Sequence, residues 1–156
     1  MQQEACDKVY QDRITRGEEK YVVYKLGAFG SDLAAVACFF ERPWSAVSDR
    51  LSETDQAWLL NQAAFRLRAL GRLTEAMEPM RAALDMGVKQ EDWRSAAIRA
   101  NNLSELELTL GLVAPSVEDA RRSVDYADRS GGWDWRMITR TTLADALFQA
   151  GRVEEA

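Results

Sequence analysis

Histidine is absent from the 156-residue chain, and with it go the commonest general base at neutral pH and the commonest metal ligand. The chain also lacks a glycine-rich phosphate loop, a cysteine beside a base and a ligand set at metal-binding spacing. These gaps argue against an enzyme: no catalytic residue, metal ligand or cofactor is expected. No apolar run approaches the roughly 18 residues of a membrane span, and the start, Met1-Gln2-Gln3-Glu4-Ala5-Cys6-Asp7, has no basic flank or apolar core of a signal peptide. A cytoplasmic location without a membrane partner is expected. Basic charge is in deficit, with 20 Lys and Arg against 25 Asp and Glu and a net charge of −5, so nucleic acid is disfavoured as a partner. The two cysteines, Cys6 and Cys38, are expected to pack as small side chains rather than to pair. Only three prolines and nine glycines interrupt a composition that is 47% hydrophobic and 29% charged, which excludes disorder and suits helices.

What is present is a period. Leu70-Gly71-Arg72-Leu73, Leu110-Gly111-Leu112-Val113 and Ala150-Gly151-Arg152-Val153 share one pattern, with glycines at 111 − 71 = 40 and 151 − 111 = 40. Trp93 and Trp133, Ile98 and Ile138, and Leu103 and Leu143 keep the same spacing. Gly30, at 71 − 30 = 41, opens a weaker copy. Periods of this size signal stacked units.

Each unit reads as two helices around its glycine, a residue that closes a helix in the left-handed conformation at little cost. Residues 53–70, 91–110 and 133–150 form the first helices. Residues 74–86 and 115–130 form the second ones, with Thr74 as an N-cap, Pro115 in a first turn and Pro79 near a helix start. Connections of a few residues make the paired helices antiparallel neighbours. Upstream, 18–28 and 31–41 make a first hairpin around Gly30, stopped by Pro43, and 3–14 a lone helix; no strand is expected. Ala96, Ala100, Leu103, Leu106 and Leu110 recur at steps of three and four as one buried stripe. Small residues at Ala76, Ala83, Ser116 and Ala120 let the second helices approach closely.

The glycine before a small pair, the Ala76, Met80, Ala83 spacing and the helix-turn-helix unit resemble tetratricopeptide repeats. The 40-residue period exceeds the usual unit of about 34, and Asn101-Asn102-Leu103-Ser104 before Leu-Gly is similar to the long-repeat subgroup of kinesin light chains and bacterial regulatory proteins. The resemblance covers residues 18–156. It implies an all-α fold, a right-handed superhelical array of antiparallel hairpins, as a single domain: an N-terminal helix at 1–16, repeats at 17–51, 52–90 and 91–131, and a truncated one at 132–156. The chain stops where a second helix opens, so a segment of a longer signalling or regulatory protein is expected.

In that architecture the first helix of every pair lines a concave groove, and the resemblance implies a protein or peptide ligand there. The groove offsets carry Trp58, Asn61, Phe65 and Arg68, then Ile98, Asn101, Glu105 and Leu108, then Ile138, Thr141, Asp145 and Phe148. A row of Asn side chains can grip a peptide backbone, a role known in the long-repeat subgroup; alternatively Asn61 and Asn101 hydrogen-bond the neighbouring helix. Glu105 and Asp145 put two carboxylates on one wall, suited to a basic ligand. Arg68, Arg99 and Arg140 are candidates for an acidic ligand end. Trp93 and Trp133 are expected to bury against the preceding hairpin, and Phe39, Phe40, Pro43 and Trp44 form an apolar cluster that is core or interface. A homodimer through unpaired ends of the array is the competing reading.

Overall fold

Left-handed glycines end four of the long helices, Gly131 at φ +75° among them. Gly71, Gly111 and Gly151 have φ of +73°, +76° and +73°. Each glycine N–H bonds back three residues and the following N–H back five, as in Gly71 to Arg68 and Arg72 to Leu67. That paired closure satisfies carbonyls the helix leaves open, at a φ that L side chains resist. The computed structural model describes residues 1–156. It is mostly helical, and the chain divides into two compact units, Met1–Pro79 and Met80–Ala156.

In the Met1–Pro79 unit, one α-turn, α1 (Gln2–Glu4), runs into a π-helix at Ala5–Thr15. A π-helix is wider than an α-helix, so residues four and five apart share a face; Cys6, Tyr10 and Thr15 are its buried residues. A 3₁₀ turn (Gly17–Glu19), the single-turn α2 (Tyr21–Tyr24) and α3 (Phe29–Ala37) follow. The expected hairpin around Gly30 is therefore not there. Gly30 lies inside α3, and the left-handed position is Gly27, at φ +60°. The run Tyr21-Val22-Val23-Tyr24 is β-branched and aromatic, residues that lose rotamer freedom in a helix, and Gly27 ends what little helix forms.

The expectation of no strand is also overturned. β1 (Phe40–Arg42) pairs antiparallel with β2 (Ala46–Val47), matching Phe40 with Val47 and Arg42 with Ala46. The turn places Pro43 second and Trp44, at φ +64°, third, closed by Ser45 N–H to the Arg42 carbonyl at 3.2 Å, the pattern of a type II turn. Cys6, Tyr10, Val36, Phe39, Leu51, Leu59 and Ala63 form the core, with Phe40, Trp44 and Trp58 packed on it. Phe39, Phe40 and Trp44 of the expected cluster thus belong to that core, while Pro43 is exposed.

α4 (Glu53–Ala69) starts at Ser52, whose hydroxyl accepts the Asp55 N–H, a side-chain N-cap. α5 (Leu73–Lys89) begins before Thr74, so Thr74 is a helical residue and not the cap. Pro79 lies beyond the four residues whose N–H groups lack intrahelical partners, so its ring does remove a bond, in a buried place.

The Met80–Ala156 unit contains α6 (Trp93–Thr109), α7 (Val113–Ser130) and α8 (Trp133–Gln149). α6 packs on α7, α7 on α8, and α6 on α8. Pro115 sits in the first turn of α7 as expected, where its missing N–H would have had no intrahelical partner anyway. Ala96, Ala100, Leu103 and Leu106 are buried, and so are the small residues Ala76, Ala83, Ser116 and Ala120. No helix is long and apolar enough to cross a membrane.

Candidate functional site

Because α6 and α8 pack against each other and repeat with a 40-residue offset, equivalent side chains form short rows. Ile98 and Leu108 are half-buried, whereas Ile138 and Phe148 are exposed, Phe148 by 60%. Glu105 and Asp145 are both exposed. Thr141 is exposed too, its hydroxyl donating to the Met137 carbonyl at 3.0 Å. The face therefore mixes apolar surface with two carboxylates and a hydroxyl.

Asn101 departs from expectation. It is 2% exposed, so it does not face solvent, and its Nδ2 donates along its own helix to Glu105 Oε1 at 3.0 Å. Its Oδ1 accepts nothing, an omission that costs about 1–3 kcal/mol when buried. The arginines are also occupied. Arg99 Nη1 donates to the Ala83 carbonyl at 2.8 Å, and Arg140 Nη2 makes two bonds to Asp128, at 2.9 and 3.1 Å. Hydrogen bonding from Arg140 holds the Asp128 carboxyl below its ordinary range.

The two tryptophans differ although they share a register. Trp93 stacks on Tyr126 of α7, ring centroids 5.9 Å apart, with the Arg129 guanidinium 4.8 Å from its ring. Trp133 is 75% exposed, against the expectation that it buries. The helix after α6 supplies the stacking tyrosine of Trp93.

In the Met1–Pro79 unit the four candidates on α4 separate. Trp58 packs beside Tyr10, centroids 5.7 Å apart. Phe65 is exposed and lies 6.1 Å from Phe29. Asn61 and Arg68 are half-buried. Between Trp58 and the strongly bent segment 16–20 lies a cleft of about 140 Å³, lined also by Gln11, Thr15, Gln62 and Arg66.

Behind that cleft is a buried ionic network with no counterpart among the expected residues. Asp32 accepts from Tyr10 Oη at 3.0 Å and from Arg66 Nε at 2.5 Å, while Arg66 Nη1 donates to Gln62 and Nη2 to Tyr10. Burial, chiefly, pushes the Tyr10 hydroxyl well above its usual range. A second cluster brings Cys6, Asp7 and Asp55 donor atoms within 4.8 Å of one another. Its groups already serve each other: Asp55 accepts from Ser52, Gln3 and Gln11 at 2.5, 2.7 and 3.1 Å. Burial opposes those bonds but is outweighed, so the Asp55 carboxyl is held low. Burial pushes the Cys6 thiol up to about 11, the reverse of what a metal-binding thiolate requires. Tyr10, Asp32 and Arg66, like Gln3, Gln11 and Asp55, are drawn mostly from distant parts of the chain, so spacing could not reveal them.

One buried acid was legible and missed. Glu107, 0% exposed, lies at 67 + 40 and 147 − 40, positions held by Leu67 and Leu147. Arg81 Nη2 donates to its Oε1 at 2.8 Å, its Oε2 finds no donor, and Asp119 of α7 is the second carboxyl against it. Comparison of the chain with protein-family models, with curated proteins and with solved structures gives no match.

Proposed function

We propose that the chain is a protein-interaction module, a tetratricopeptide-like array of helical hairpins within a longer regulatory protein, which binds a partner segment on the α6 and α8 face. The observation that carries this reading is that Ile138, Phe148, Glu105 and Asp145, at shared helix offsets on α6 and α8, are all exposed. An apolar strip edged by acids fits an amphipathic peptide with basic side chains, since apolar burial supplies affinity and charge supplies orientation. Asn101 supports the reading in a modified form: its unsatisfied Oδ1 would gain a donor only after the amide turns out of its bond to Glu105. No catalytic role is assigned.

The test is a titration with synthetic amphipathic peptides of equal apolar content bearing lysine, neutral or glutamate side chains. The expected order of affinity is lysine, neutral, glutamate, weakening with salt. Glu105→Gln with Asp145→Asn should reduce lysine-peptide affinity roughly 2- to 30-fold, the range for two exposed charge pairs. Equal affinity for all three peptides would remove the acidic-wall reading. A second reading, self-association, is favoured by the exposure of Trp133 and Met137 on α8, 75% and 64%; a concentration-dependent sedimentation coefficient abolished by Trp133→Ser would select it.

A further inference from the structure

Glu107 occupies a leucine position. Leu67 and Leu147, its equivalents at a 40-residue offset, are 0% and 2% exposed, and Glu107 is 0% exposed. An ionised carboxylate without full compensation is strongly disfavoured there, and compensation is incomplete. Arg81, reaching over from α5, satisfies Oε1 alone at 2.8 Å. Oε2 has no donor, and the second carboxyl set against Glu107 is Asp119, itself 8% exposed. Two ionised carboxylates in a buried contact repel. One proton between them replaces that repulsion with an O–H donating to a carboxylate, a short charge-assisted bond.

We propose that Glu107 and Asp119 share one proton in the folded protein, Glu107 Oε2 donating to Asp119, and that this proton makes the α6 and α7 hairpin the pH-sensitive joint of its unit. The surrounding charges suit the assignment. The charged groups set against Glu107 are Arg81 of α5 and Asp119 of α7. Arg122 pairs with Asp119, its Nη1 donating to Oδ1 at 2.9 Å. Asp119 thus has a cation of its own, while Glu107 is the carboxyl left with an oxygen that no donor reaches. Burial above all, then the Asp119 charge, raises the Glu107 carboxyl above its ordinary 4.5, with Arg81 opposing.

The folded chain then holds this proton more tightly than the unfolded chain. Its stabilisation is complete below about 4.5 and is lost as pH rises through the raised value. Across that window the unfolding constant rises by up to about tenfold per pH unit.

Melting of the whole chain from pH 4 to 9, as wild type and as Glu107→Gln, tests the proposal. Glutamine copies the protonated acid, with an N–H for Asp119 and an oxygen for Arg81. The two should melt alike at the acid end, with wild type falling progressively below Glu107→Gln as pH rises; a gap constant with pH, or one closing upward, overturns the shared proton. Infrared spectra of the same samples give a second readout independent of the variant's stability. A protonated-carboxyl stretch in wild type should persist above pH 5, where exposed acids have ionised, and be missing from Glu107→Gln. Its absence from wild type also overturns the proposal.

Discussion

The two units reach a buried core by different means. In Met80–Ala156 the three helices α6, α7 and α8 are each 17 or 18 residues long, and the apolar stripe of α6 sits where its three-and-four spacing puts it. In Met1–Pro79 one long helix, the 17-residue α4, and the nine-residue α3 are joined by a π-helix, a 3₁₀ turn, one-turn helices and a two-stranded hairpin, held around an aromatic cluster and the Tyr10, Asp32 and Arg66 network. A regular helix pair obtains its cohesion from a repeated pattern, so each contact resembles the next. An irregular segment depends on particular long-range bonds, and a single deletion should therefore be felt differently in the two.

The largest effect is expected in the irregular unit. Asp32→Ala leaves the Arg66 guanidinium buried without its counter-ion and should destabilise by about 3–5 kcal/mol in denaturant melts. Asp32→Ala with Arg66→Met should recover much of that loss, because the unpaired charge goes too; if the double variant is no better than the single, the network is held by geometry rather than charge. Next comes Leu103→Ala, a large-to-small change at 1% exposure, expected to cost about 2–5 kcal/mol. A loss below about 1 kcal/mol would break the claim that α6 buries this stripe.

Smaller effects sharpen the comparison inside the regular unit. Trp93 stacks on Tyr126 and Trp133 stacks on nothing comparable, so Trp133→Ala should change stability by no more than about 0.5 kcal/mol, with Trp93→Ala costing clearly more; equal losses would mean that α8 is covered in solution. Also small, and opposite in sign, is Glu91→Gly. Glu91 has φ +55° at the turn between α5 and α6, where Gly131, 40 residues later, has φ +75°. The left-handed penalty for an L residue, about 1–2 kcal/mol, exceeds the entropic cost of glycine, about 0.5–1 kcal/mol. A net gain of roughly 0.5–1 kcal/mol in thermal melts is expected.

Much of the helical layout was legible in the chain. Gly71, Gly111 and Gly151 marked helix ends because only glycine adopts that φ freely, and the buried Ala96, Ala100, Leu103 and Leu106 followed from periodicity. Glu107 was readable too, as a charged residue in a leucine register. The Pro43-Trp44 turn was not recognised because its strands are three and two residues long, too short for alternation to register. The exposed part of the candidate face, Asp145 and Phe148, lay where the offset put it; Asn101 did not.

By itself the sequence determined that five helices follow residue 52, with ends placed to within about three residues, since backbone propensity, capping and periodicity are local properties of a few consecutive residues. Tertiary structure alone decided that Tyr10, Asp32 and Arg66 meet, that Cys6 lies beside Asp55, that Asn101 is covered and that Trp133 is not. Those outcomes depend on which surfaces come together across long stretches of chain. Burial then fixes which charges must pair and which carboxyl must keep its proton, because a charge removed from water has to find compensation wherever the fold has left it.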